Sequence, residues 1–470
     1  MDDFSHLDGL AQAALVASKQ VKPAELLESA IARAEAANPQ HNFMAQKLYD
    51  RARKTPAGTG PFAGVPFLVK DLHVDIAGER AGEGSHLWDG YVPTVNSTLF
   101  DRYEAAGLVT FGKTTSPELG LTVTTESAAY GLTRNPWDPS RTSGGSSGGS
   151  AVAVAAGIVP MASASDGGGS IRAPASCCGV FGMKPSRGRM PSGPHKTEGW
   201  LGMSIAHAVT RSVRDSAALL DATHGVELGS RTSAPAPETS FFAATQRAPG
   251  KLRIAMMLSP PTGVPVDPEV IAATRATAKL LEGLGHHVEE AQPPLDGAAI
   301  AAAFVAVLGV CTAHDVDSRA AQLGRAIREG EIEPVTAMFA HIGRKTSGTD
   351  IIAANDMFQK AAIIMAQFMN NYDVVLSPVL GKPPIKLGLI DLAPADNARW
   401  TAEITTFSPF TALYNQTGQP AMSVPLGWSS TGLPIGMMFA GRYGDEALLY
   451  SLAAQLEQAA PWTDTRPQLS

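Results

Sequence analysis

The sequence predicts an α/β protein built on a large, twisted mixed sheet with helices on both faces. Short apolar strand candidates alternate with helix-length segments along the chain, the pattern that layered sheet-and-helix folds produce. The 470 residues exceed what one small core uses. A composition of 44 % apolar and 17 % charged residues is that of a globular chain.

Residues 1–60 read as N-terminal helices. Lys22-Pro23-Ala24-Glu25 opens one of them with proline in its first turn. Leu27, Ile31 and Ala34 share one face, and Asn38-Pro39 is the expected stop. Gly64-Val65-Pro66-Phe67-Leu68-Val69-Lys70 is an apolar strand ending in a lysine. A helix over 100–106 and a strand over 109–113 follow, then a small-residue helix at 151–157 and a strand at 158–162. The Ser/Thr/Ala/Pro-rich residues 231–250 read as a surface connection inside one sheet rather than a domain border. Strands are expected at 252–257, 373–378, 421–426 and 436–440. Helices are expected at 269–284, 298–311, 351–369 and 446–459. The Met and Phe side chains of 351–369 fit either a substrate funnel or plain core packing.

Charge and cysteine usage exclude several classes. A net charge of −7, with no basic stripe, argues against a nucleic-acid surface. Three cysteines, two of them adjacent (Cys177 and Cys178), build no disulfide framework, so a reducing, cytoplasmic setting is expected. No secretion signal is visible, and no apolar run is read as long enough to span a bilayer, so no membrane partner is expected. The eleven histidines show no metal-ligand spacing; no metal and no cofactor are expected.

The chemistry concentrates in three places. Gly144-Gly145-Ser146-Ser147-Gly148-Gly149-Ser150 presents serines on a backbone free to bend sharply; the alternative is a flexible linker, against which the buried-looking helix just after it argues. Asp166-Gly167-Gly168-Gly169-Ser170 can aim successive N–H groups at a developing oxyanion, or can simply be a surface turn. Lys70 is either a desolvated, neutral base or an ordinary lysine paired with Asp71. Two serines and a lysine on such turns suit acyl transfer without histidine or metal.

In order and spacing, with 76 residues from Lys70 to Ser146 and 24 from Ser146 to Ser170, the set resembles the amidase signature family. The resemblance extends through Ser170-Ile171-Arg172-Ala173-Pro174, Phe111-Gly112-Lys113-Thr114, Arg134-Asn135-Pro136-Trp137, Gly182-Met183-Lys184-Pro185 and Gly418-Gln419-Pro420-Ala421, almost the whole chain. It implies one amidase domain over 1–470, with roughly 290–400 covering the substrate. It also implies Ser170 as nucleophile, Ser146 as a bridging serine on a cis peptide bond, Lys70 as base, and an oxyanion hole of backbone N–H groups from Gly167, Gly168, Gly169 and Ser170. Asp166 and Arg172 are expected to brace the loop. Gly167 departs from the threonine common at that position.

The implied activity is hydrolysis of bulky or apolar amides through a Ser170 acyl-enzyme, extending to aryl amides, carbamates and esters. The segment from Ala460-Pro461-Trp462 onward resembles bacterial stand-alone amidases acting on cyclic nylon oligomers, aryl amides and urethanes. The alternative is the glutaminase subunit of a glutamyl-tRNA amidotransferase. That subunit carries an acidic residue shortly before its Phe-Thr pair, whereas Thr406-Phe407-Ser408-Pro409 precede Phe410-Thr411 without one. Family members of this size often form homodimers.

Overall fold

The computed structural model describes residues 4–468. Eleven strands form one mixed sheet, in the order Met44–Lys47, Val109–Thr114, Pro66–Lys70, Met161–Asp166, Ile205–Thr210, Phe181–Lys184, Ala421–Trp428, Pro434–Ala440, Val374–Pro378, Arg253–Met256 and His287–Glu290. Val109–Thr114, Pro66–Lys70 and Met161–Asp166 pair in parallel, as do the last three strands. Antiparallel pairs join the two parallel groups. Because Arg253–Met256 belongs to the same sheet as Pro66–Lys70, the 231–250 connection runs within one sheet; it carries only the short helix Phe241–Ala244.

Both faces of this sheet are covered, and the alternation of strand side chains shows it. Along Pro66–Lys70, Phe67 and Val69 join one buried apolar cluster and Leu68 joins the other. Lys70 has the parity of Leu68. It therefore points to the face that carries the small-residue helix Gly148–Ala155, whose Ala151 to Ala155 side chains are buried in Leu68's cluster. Gly149 allows that helix to lie against backbone: a Cβ there would sit 2.6 Å from Phe43 O and Thr115 N.

Several boundaries differ from the sequence expectation. The helix opening at Pro23 runs through Pro39 to His41 and ends at Asn42, whose φ of 50° is left-handed. Asn38 Oδ1 accepts the N–H groups of Phe43 and Met44, so capping at Asn42 stops the helix, not the proline. The strand expected at 158–162 is Met161–Asp166, and this shift matters because it brings Ser163 and Ser165 onto the strand. Helices Val213–Thr223, Pro334–Lys345 and Asn397–Phe407 and strands Met44–Lys47, Phe181–Lys184, Ile205–Thr210 and His287–Glu290 had not been anticipated.

The helix expected at 298–311 is Gly297–Leu323, which corrects the reading of apolar run length. It is long and apolar enough to cross a membrane by length and composition, with a mean hydropathy of 1.9 over its most apolar window. In the fold it packs against helices Pro334–Lys345 and Gly348–Phe368, burying Ile300, Ala303, Val307 and Leu308.

Candidate active site

Lys70 ends its strand beneath the first glycine-serine loop. Its Nζ lies 2.7 Å from Ser146 Oγ and 3.0 Å from Ser165 Oγ, and its N–H donates to Ser163 Oγ at 2.8 Å. Ser163 and Ser165 reach the lysine because they share a parity on the neighbouring strand. Burial pushes the Lys70 amine down to about 7, against the opposing pull of Asp166 and Glu83. The pairing with Asp71 does not occur. Asp71 instead accepts from the buried Lys113 ammonium at 3.2 Å, from Gly82 N–H and from the Tyr130 hydroxyl.

The peptide bond between Gly145 and Ser146 is cis, and Gly144 has a φ of 73°. Glycine is required at 145, where a Cβ would lie 2.2 Å from Thr124 O. The loop is no linker: the Ser147 hydroxyl donates to Ser165 O at 3.2 Å, and the Ser150 hydroxyl donates to Ser163 O at 2.7 Å.

Ser170 sits on the second loop, which is organised around Asp166. The carboxylate accepts Gly169 N–H at 2.7 Å, Ile171 N–H at 3.1 Å, two Arg172 N–H groups at 2.9 and 3.0 Å, and Asn415 Nδ2 at 2.9 Å. Burial alone would raise Asp166; the Arg172 charge and these hydrogen bonds win and hold it at about 2. The bracing expected of Asp166 and Arg172 is thus present. One detail differs from expectation: Gly169 N–H is turned to Asp166, which leaves Gly167, Gly168 and Ser170 as the backbone donors not committed elsewhere among the described residues. Gly169 has a φ of 137°, and Thr411 fills the space a Cβ there would take. The Thr411 hydroxyl donates to Gly168 O at 2.6 Å. Among the described residues no side chain hydrogen-bonds the Ser170 hydroxyl, whereas the Ser146 hydroxyl is bonded to Lys70 Nζ.

Two cavities lie near this centre, with Trp200 in the lining of both. One, of about 440 Å³, holds Ser170 and Gly168 on its wall and is otherwise lined by side chains such as Phe304, Leu308, Phe339, Ile342, Trp400 and Leu413, with no charged side chain. Its walls come from Gly297–Leu323, Pro334–Lys345 and Asn397–Phe407. Helix Gly348–Phe368, the expected funnel candidate, contributes none of them; its buried Ala354, Phe358, Ala361 and Met365 pack in the core. The second cavity, about 460 Å³, is also mostly apolar but carries Lys196, Glu198 and Asp315 on its wall, and it reaches Ser165.

Sequence reasoning missed Ser165, Trp200, Thr411 and Asn415. Only Ser165 carried a readable signal, its two-residue spacing from Ser163 on a strand. Cys177 and Cys178 are buried, with burial pushing both thiols up, as structural cysteines. Among the described residues no group of three His, Cys, Asp or Glu side chains gathers where a metal ion could sit.

Comparison with known proteins gives a consistent picture. A sequence model of the family described as Amidase matches residues 25–450. The 6-aminohexanoate-cyclic-dimer hydrolase of Pseudomonas sp. (strain NK87) is 38 % identical over 475 residues, covering 98 % of this chain and 96 % of the relative. A structure of 6-aminohexanoate cyclic dimer hydrolase complexed with substrate superposes with a TM-score of 0.95 at 37 % identity, over 99 % of each chain. A bacterial aryl acylamidase of the amidase signature enzymes gives a TM-score of 0.88 at 27 % identity, covering 98 % of this chain and 99 % of that one. A match over this much of the chain, on a site of this geometry, makes the protein a member of the amidase family and an amide hydrolase.

Proposed function

We propose that the chain hydrolyses bulky or apolar amides, linear or cyclic, through an acyl-enzyme on Ser170, with Ser146 and Lys70 as the proton relay. The observation that carries this reading is a buried lysine, near-neutral in pKa, 2.7 Å from Ser146 beside an uncharged cavity that exposes Ser170. Neutral Lys70 takes the Ser170 proton by way of Ser146; the bond from Ser170 to Ser146 forms in the substrate complex, where catalytic hydrogen bonds commonly tighten. The attacked carbonyl oxygen rests on the N–H groups of Gly167, Gly168 and Ser170. The C–N bond breaks as Lys70 returns the proton to the leaving nitrogen, and water then releases the acyl group with Lys70 again accepting a proton. Anilides, carbamates and esters share the carbonyl chemistry and belong to the expected range. The single domain, its helical cover over roughly 290–400 and a cytoplasmic setting are part of the same reading.

A glutaminase role fits less well. Glutamine carries an ammonium and a carboxylate, and the cavity at Ser170 offers no charged side chain to either. The test is hydrolysis by the purified chain of the cyclic dimer of 6-aminohexanoate, 4-nitroacetanilide, a nitrophenyl carbamate and glutamine. Turnover of at least one of the first three, with glutamine untouched, is expected. Turnover of glutamine alone would overturn the proposal.

The pH profile follows from Lys70. Its neutral form is the base, so activity is expected to climb about tenfold per unit below pH 7 and to level off above about pH 8. A maximum near pH 5 would contradict the assignment.

A further inference from the structure

The wall of the cavity at Ser170 carries four buried side chains with a polar atom: Ser170, Thr122, Trp400 and Gln416. The Thr122 hydroxyl donates to Thr124 O at 3.1 Å, and the Trp400 indole N–H donates to Asp391 O at 2.6 Å. Gln416 is 3 % exposed, yet its Oε1 meets no donor and its Nε2 no acceptor among the described residues. Leaving a buried amide unpaired is unfavourable, and native interiors pair nearly all such groups.

The backbone places this amide close to the second glycine loop. Gln416 ends the short helix Leu413–Gln416, and its N–H donates to Ala412 O at 3.1 Å. Ala412 faces the loop: a Cβ at Gly168 would lie 3.9 Å from the Ala412 Cβ. Gln416 therefore stands one helical turn, about 5 Å, from the residue that abuts Gly168. The helix is tied to the same loop through Asn415, whose Nδ2 donates to Asp166 O and Oδ1, both at 2.9 Å. Arg187 holds the far end by donating to Gln416 O at 2.8 Å. The Gln416 side chain thus starts from a fixed point, on the wall that also exposes Ser170.

We propose that Gln416 is a specificity-determining residue that hydrogen-bonds a second amide group of the substrate, so that diamides with an apolar spacer are preferred over monoamides. The inference rests on the acyl-enzyme reading above and names the substrate class of that same site. A side-chain amide carries donors and an acceptor in one plane, and another amide is its complement. Rotation about the terminal side-chain bond turns either end towards the cavity. The remaining wall, with Phe304, Leu308, Phe339 and Ile342, suits a run of methylenes between the two amides. Without Gln416 a second amide would enter this cavity unpaired, which is unfavourable, so a preference for it reports the hydrogen bond.

The experiment compares two pairs of amides matched in length. N-acetyl-6-aminohexanoyl 4-nitroanilide is set against nonanoyl 4-nitroanilide, which places the second amide in the acyl half. The hexanoyl amide of N-acetyl-1,5-diaminopentane is set against hexanoyl octylamide, which places it in the amine half. The wild type is expected to favour the diamide of at least one pair about tenfold in kcat/KM, although the monoamide is the more apolar partner. Gln416→Met keeps the length and removes the amide; it is expected to lower that ratio about tenfold, and Gln416→Leu to do the same. Because the amide holds no hydrogen bond in the free protein, the urea midpoint of Gln416→Met should equal or exceed that of wild type. A wild type without a diamide preference in either pair would overturn the proposal, and so would a Gln416→Met ratio equal to that of wild type. A variant that loses both members of a pair alike, with a lower urea midpoint, would give Gln416 a packing role and overturn it too. Failure of the wild type to turn over any of the four amides or 4-nitrophenyl hexanoate would instead count against the acyl-enzyme reading, and this inference would fall with it.

Discussion

Ser170→Ala is expected to lower amide turnover by about four orders of magnitude or more, with the protein folded as before. Ser170 is the hydroxyl exposed to the apolar cavity beside three uncommitted backbone donors, so its removal leaves no atom to carry the acyl group. Lys70→Ala is expected to cost nearly as much. In the proposed relay the base and the nucleophile act as one unit, so the double variant should be little worse than either single one. The strict test is that non-additivity, measured as kcat on one amide. Single losses of less than about tenfold would show that another group attacks the carbonyl.

Arg172→Ala carries the largest expected effect on stability. Arg172 and Asp166 are both fully buried, and removing the guanidinium leaves a carboxylate held at about 2 without its main partner. Breaking such a buried pair from one side costs about 3–5 kcal/mol. Urea unfolding should show the loss as a lower midpoint. Activity should fall as well, because the same carboxylate anchors the N–H groups of Gly169 and Ile171 on either side of Ser170. Asp166→Asn keeps the shape and part of the hydrogen bonding, and should sit between wild type and Arg172→Ala in both measurements. A drop below about 1 kcal/mol for Arg172→Ala would mean that the loop is braced by something else.

The three side chains to which the proposed chemistry assigns roles each lie in a local pattern of the sequence. Lys70 ends an apolar strand, and Ser146 and Ser170 sit in runs of glycine whose order and spacing resemble one family. What surrounds them was less legible, for physical reasons. Ser165 touches Lys70 only because the strand runs on to Asp166, and the turn at 158–160 looked like its beginning. Asn415 bonds Asp166 across 249 residues of sequence, and Thr411 meets Gly168 across 243. No local periodicity reports such contacts. Asp71, the obvious partner for Lys70, lies one residue past the end of the strand and pairs with Lys113 instead. That separation leaves Lys70 without a carboxylate in contact and its pKa near 7, a tertiary effect that no propensity scale contains.

The most direct test of the central claim is to trap the intermediate. The protein is mixed with 4-nitrophenyl hexanoate, quenched in acid within milliseconds, and the hexanoyl group is mapped by peptide mass spectrometry. The adduct is expected on the peptide that contains Ser170, absent in Ser170→Ala and slow to form in Lys70→Ala. Acylation at Ser146, at a cysteine, or nowhere despite full turnover would contradict the Ser170 acyl-enzyme on which the account rests.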